Sequence, residues 1–141
     1  MKNLDRFIEA QESNYSIALE EIKNGRKRSH WIWYIFPQLK GLGHSYRSSF
    51  YGIADAEEAK SYLNHPILGY RLREITLALL DLPKELTAVE ILGWTDALKV
   101  KSSMTLFYYV SKEDIFLNVL NRFYNGCQDQ KTINILNQET T

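Results

Sequence analysis

The chain has 141 residues, of which 45% are hydrophobic and 24% charged, the length and composition of about one globular domain rather than a multidomain assembly. Seventeen Lys and Arg balance seventeen Asp and Glu, so no bulk positive field favours nucleic acid and no acidic excess marks a solvating tail. A single cysteine, Cys127, excludes an intramolecular disulfide framework, and with three histidines it leaves no zinc-ligand spacing.

The amino terminus MKNLDRFIEAQE lacks the continuous apolar stretch of a signal peptide, and no apolar run approaches the roughly 18 residues that span a bilayer. A cytoplasmic protein with no membrane partner is expected. Over residues 4–23, Leu4, Phe7, Ile8, Tyr15, Ala18, Leu19 and Ile22 recur at helical spacing and predict one amphipathic helix stopped by Gly25. The basic segment Arg26-Lys27-Arg28-Ser29-His30 leads into WIWYIF at 31–36, whose period does not separate a short buried strand from a helical turn. Pro37 pushes Phe36 out of the α region in either case. Residues 41–52 read as a loop with one helical turn. Asp55, with Glu58 three residues on, caps the next helix in a variant of the capping box. Pro66 suits the first position of a helix carrying Ile67, Leu68, Leu72, Ile75 and Leu79 and ended by Pro83. Thr87 with Glu90 is a capping box before a short helix that stops at Gly93. Residues 96–110 read as a helix, although 107–110 have strand-like composition. Ser111 with Asp114 opens another helix, ending at Gly126, and 129–138 form the last. The sum is an all-α, mainly helical bundle of about six to eight short helices in a single domain over 1–141, with 31–36 left as the place for a short extended segment.

Glycine-rich phosphate loops, the dinucleotide fingerprint, the G-x-S-x-G elbow and H-E-x-x-H are all missing. Cys127 has no nearby base and reads as inert. Three polar clusters remain. The first joins Trp31, Trp33, Tyr34 and Gln38 with Gly41, Gly43, His44, Ser45 and Ser48, a mixture of flat rings, hydrogen-bonding groups and pliable backbone that suits a planar ligand. Its plainer explanation is a core anchor beside a glycine turn. The second is His65-Pro66 with Arg71, Arg73 and Glu74, where Arg71 and Glu74 are three apart and form the adjacent pair, otherwise a surface ion pair. His65 reads more simply as the head of a helix than as a base. The third is Asp96, Lys99 and Ser103, an acid, an amine and a hydroxyl on one helical wall, or else an N-cap and a solvated face.

At these residues the sequence closely resembles the domain of unknown function 1810 family of bacterial proteins. The resemblance runs through Trp33, Phe36-Pro37-Gln38, Gly41-Leu42-Gly43, Ser48, Tyr51-Gly52-Ile53, His65-Pro66, Leu68-Gly69, Arg71-Leu72, Asp96, Lys99, Ser102 to Phe107, Gly126, Asp129 and Thr132, nearly the whole chain. It implies a mainly helical single domain and leaves the activity open. Some members carry the name calpastatin, but inhibition of that type uses disordered segments, which these aromatics and capped helices exclude. A looser similarity to the NADAR family suggests an ADP-ribose class of ligand and transfers no residue.

The first functional expectation is therefore a small-molecule site for a nucleotide or ADP-ribose-like ligand. Trp33 or Tyr51 would stack, Gln38 would read the ring edge, Ser48 and Ser103 would offer hydroxyls, and Arg71 with Lys99 would hold phosphate. Asp96, Lys99 and Glu74 are the candidate catalytic groups. No cofactor or metal is called for. The alternative is a protein-interaction module anchored by the aromatic face, with no chemistry. Single-stranded nucleic acid bound through Arg26 to Arg28 is disfavoured by the neutral net charge.

Overall fold

Side-chain caps set several of the helix starts. In the computed structural model, which describes residues 3–139, Ser45 accepts from the Ser48 N–H, Asp55 from the Glu58 N–H and Thr87 from the Glu90 N–H. Each bond satisfies a donor that the first helical turn leaves open. The elements are α1 (Asp5–Glu12), α2 (Tyr15–Lys23), α3 (Ile32–Ile35), α4 (Tyr46–Phe50), α5 (Ala56–Asn64), α6 (Leu68–Leu80), α7 (Ala88–Leu92), α8 (Trp94–Ser111), α9 (Asp114–Tyr124) and α10 (Gln130–Glu139). The described residues are thus all-α, and no helix among them is long and apolar enough to cross a membrane.

Ten helices stand among the described residues where six to eight are expected, for identifiable reasons. The single helix over 4–23 is two, because Asn14 Nδ2 donates to the Ala10 carbonyl at 3.0 Å and so takes the acceptor that a continuous helix would give to the residue-14 N–H. The stretch WIWYIF resolves as a helical turn, α3, with Phe36 leaving it at φ −121° and ψ 74° ahead of Pro37. The extended pairing among the described residues lies further on, as an isolated parallel bridge between Leu39 and Ile53. Pro66 heads a turn rather than α6 itself. His65 Nδ1 accepts from the N–H groups of Ile67 and Leu68 at 3.1 and 3.3 Å, which starts the helix. Residues 107–110, strand-like by composition, stay helical within α8.

Helix α8 is the centre of the bundle, packing against α5, α7, α9 and α10. Residues 102–107 are buried around its whole circumference, a segment with no solvent face, while its first two turns keep an exposed side. Around it lie Phe7, Ile22, Trp31, Phe36, Tyr62, Leu72, Ile75, Phe116 and Leu136, all fully or almost fully buried. Arg73 donates to both carboxylate oxygens of Glu113 at 2.7 Å, clamping α6 to the residue before α9.

Candidate functional site

The site is built from three separated stretches of chain. In the first, Ile53 N–H donates to the Gln38 carbonyl and Lys40 N–H to the Ile53 carbonyl, both at 2.8 Å, so the loop between them is tied at its neck. Gly52 is required there, since a Cβ would lie 2.6 Å from the Ser48 carbonyl oxygen and 2.7 Å from the Lys40 Cα. Arg6, buried beneath, donates to the Phe50 and Gly52 carbonyls at 2.9 and 3.0 Å and to both oxygens of Glu58 at 3.0 and 3.1 Å. Glu58 in turn accepts from the Ala54 N–H at 2.8 Å rather than from its own N-cap, which departs from the capping box expected at Asp55. The loop is thereby fixed to α1 and α5, and Tyr51 is held among Phe7, Tyr34 and Phe50.

The second stretch is the exposed side of α8. At about 100° per residue, Leu98, Ser102 and Thr95 fall to one side of Lys99, and Asp96 and Ser103 fall to the other. The third is the start of α10, where Asp129 N–H donates to Thr105 Oγ1 at 2.9 Å and Asp129 Oδ2 accepts from Thr132 N–H and Oγ1 at 3.0 and 2.6 Å. Between these stretches lies a cavity of about 390 Å³. Trp33, Gln38, Ser48, Tyr51 and Lys99 line it, together with Leu39, Leu42, Leu98, Ser102 and the backbone of Gly43 and Gly52. Its charged lining is two lysines, Lys99 and Lys131, against one aspartate, Asp129.

Lys99 Nζ lies 3.9 Å from the Trp33 ring centroid, a cation held on a π face. It also faces Asp96 Oδ1 at 3.4 Å, while Asp96 Oδ2 pairs more closely, at 2.8 Å, with Lys27. One carboxylate therefore serves two ammoniums. The remaining sequence-derived candidates have other surroundings. Ser48 Oγ donates to the Ser45 carbonyl at 2.8 Å. Ser103 is fully buried, with no hydrogen-bond partner for its hydroxyl among the described residues, and its neighbour Ser102 is the one that meets the cavity. Arg71 and Glu74 do not pair with each other. Both meet Tyr15, whose hydroxyl donates to Glu74 at 2.5 Å and lies 3.0 Å from the Arg71 carbonyl, and whose ring carries the Arg71 guanidinium at 5.1 Å. Burial, and then the Glu74 hydrogen bond, push the Tyr15 hydroxyl well above the ordinary phenol range, so it acts as a donor. Glu74 lines a separate groove of about 740 Å³ with His65, Tyr70, Arg73 and Leu77.

Arg6, Thr95, Gln130 and Lys131 are not among the residues singled out by sequence, whereas Lys27 stood there only within the basic segment and Ser102 only within the family motif. Asp129 belongs to the motif residues of the family resemblance but carried no role there; its cap on Thr132 and its bond to Thr105 are what bring α10 to the cavity.

Residues 1–136 match the family described as protein of unknown function (DUF1810), and the chain belongs to that family. Among solved structures, the conserved hypothetical protein Rv1873 from Mycobacterium tuberculosis is similar, at 42% identity and a TM-score of 0.93 over 95% of this chain and 96% of that one. Among curated proteins none matches.

Proposed function

We propose that this DUF1810 protein binds a small anionic ligand carrying a planar ring, of the nucleotide or ADP-ribose-like class, in the cavity between residues 38–52, α8 and α10. One observation carries the reading: ring faces, a side-chain amide and two lysines, drawn from three distant stretches, line a single concavity of about 390 Å³. That volume lies within the roughly 300–1,000 Å³ range of small-molecule sites. Trp33 and Tyr51 give the apolar wall for a ring, Gln38 an amide for its edge, and Lys99 and Lys131 the charge for phosphate. Asp96 lies past the edge of the lining, 3.4 Å from the Lys99 ammonium, and does not meet the ligand. The reading is one of binding, and Arg71, Glu74 and Ser103 have no part in it.

Titration calorimetry with AMP, ADP-ribose, adenosine and inorganic pyrophosphate tests it. AMP and ADP-ribose are expected to bind more tightly than adenosine, and Lys99→Ala to weaken them roughly ten- to a hundredfold, the value of one hydrogen bond to a charged group. The variant should keep its melting temperature, because Lys27 still neutralises Asp96. Absence of binding by all four compounds, or affinity unchanged in Lys99→Ala, overturns the proposal. A second reading has its own support: Trp94 and Leu98, one turn apart on α8, are 77% and 63% exposed, as anchors of a protein interface would be. Self-association that disappears in Trp94→Ser would favour it.

A further inference from the structure

The two lysines that share Asp96 are held very differently. Lys27 has a side chain only 7% exposed and takes no part in the cavity lining. Its N–H donates to the Ile91 carbonyl at 2.7 Å, its ammonium donates to the Ser29 carbonyl, and that ammonium lies 4.8 Å from the Trp31 ring centroid. Trp31 is itself fixed, with Nε1 donating to Glu21 at 2.9 Å. Lys27 thus has a second acceptor and a buried position that keep it on Asp96. Lys99 is more exposed, stands at the cavity edge, and holds Asp96 at the longer distance of 3.4 Å.

On the premise that Lys99 meets the ligand's phosphate, we propose that Lys27 is a positioning residue that sets the affinity of the site without touching the ligand. By occupying Asp96 it leaves the Lys99 ammonium available. Moving Lys99 from Asp96 to a phosphate oxygen then costs little, since Asp96 keeps its closer partner. Without Lys27, Asp96 would have Lys99 as its remaining ammonium, and the three-charge group would fall from a net +1 to zero. A half-buried carboxylate such as Asp96, its side chain 18% exposed, holds its one available cation the more firmly because the alternative is an unpaired charge. The Lys99 ammonium would then be spent within the protein.

The test is a double-mutant cycle on the whole chain, with two readouts. Calorimetry with ADP-ribose and with inorganic pyrophosphate compares wild type, Lys27→Met, Asp96→Asn and the double variant. Acetylation of Lys99 by an N-hydroxysuccinimide ester, followed by peptide mass spectrometry without ligand, reports how far its amine is free. Lys27→Met is expected to weaken binding about tenfold, equivalent to about 1.4 kcal/mol, and to slow Lys99 acetylation. Asp96→Asn should tighten binding and speed acetylation. In the Asp96→Asn background, Lys27→Met should change affinity by less than about twofold, because the carboxylate through which Lys27 acts is gone. Lys27→Arg should restore both readouts, which a merely structural loss of the lysine stem would not predict. If Lys27→Met does not fold, Lys27→Gln, which keeps a donor toward Ser29, replaces it. Equal weakening in both backgrounds, or Lys99 acetylation indifferent to Lys27, overturns the inference. If wild type binds neither probe, the ligand class proposed above fails and this premise fails with it.

Discussion

Glu21 gathers four donors onto one carboxylate. Oε1 accepts from the N–H groups of Arg28 and Ser29 at 2.7 and 2.9 Å and from Trp31 Nε1 at 2.9 Å, and Oε2 accepts from the Ser29 hydroxyl at 2.6 Å. Partial burial works against ionisation, but these hydrogen bonds outweigh it and hold the carboxyl down at about 2. An unfolded glutamate titrates near roughly 4.3. The folded value is the lower one, so the stabilisation is fully present above the unfolded value and is lost as pH falls from there toward 2. Glu21→Gln should therefore cost about 1–3 kcal/mol at neutral pH, since the amide nitrogen replaces the oxygen that accepts from the Ser29 hydroxyl and the other three bonds lose their charged acceptor. Urea unfolding at pH 6 and pH 3 checks the assignment. The stability lost between the two pH values should be smaller in the variant, and an equal loss would place the acid sensitivity elsewhere. Glu21 also fixes the chain just before α3, and Lys27 depends on that order.

At the level of elements, the crossing of α5 and α6 turns on Gly69. A Cβ there would lie 2.0 Å from the Leu63 carbonyl oxygen and 2.8 Å from Arg73 Nη1, so the start of α6 passes under the end of α5 with no room for a methyl group. In an open helix Gly→Ala stabilises by about 0.5–1 kcal/mol. Here Gly69→Ala should instead destabilise by about 1–3 kcal/mol or more, the cost of overpacking against backbone. Thermal unfolding decides between them, and a neutral or raised melting temperature would mean that the two helices part easily. The caps at Asp55 and at Thr87 with Glu90, and the glycine stops at Gly93 and Gly126, are local chemistry and were readable in the sequence. The break between α1 and α2 was not, because neither Ser13 nor Asn14 is a strong breaker. It depends on Asn14 finding Ala10, and on Gln11 being buried between the Tyr34 carbonyl and the Tyr62 hydroxyl, at 2.7 and 3.0 Å. Helix α8 was legible over 96–110, but its orientation was not. Buried on all sides over 102–107, it shows no amphipathic stripe from which its exposed face could be read.

Across the whole molecule, the cavity joins residues 33–52 to 95–102 and 129–131, segments that no local pattern ties together. Two polar clusters found by composition, one around Trp33 to Tyr51 and one around Asp96 to Lys99, adjoin it. The equally polar pair Arg71 and Glu74 lies instead at Tyr15, and only tertiary packing tells these cases apart. The α10 wall was the least legible, since it rests on one hydroxyl. Thr105 Oγ1, buried in α8, donates to the Lys101 carbonyl at 2.8 Å and accepts the Asp129 N–H at 2.9 Å. Thr105→Val keeps the shape and removes the acceptor, leaving the Asp129 N–H without its partner at a cost of about 1–3 kcal/mol. Thr132 and Leu136 remain buried anchors for the rest of α10, so the loss should concentrate at the start of that helix. Hydrogen exchange should accelerate over 129–133 while α8 and α9 stay protected, the signature of local rather than global opening. Affinity for ADP-ribose should fall in parallel, because Lys131 loses its fixed place on the cavity wall. Faster exchange without a change in affinity would remove α10 from the binding site, and uniform acceleration across the chain would make Thr105 a support of the core alone.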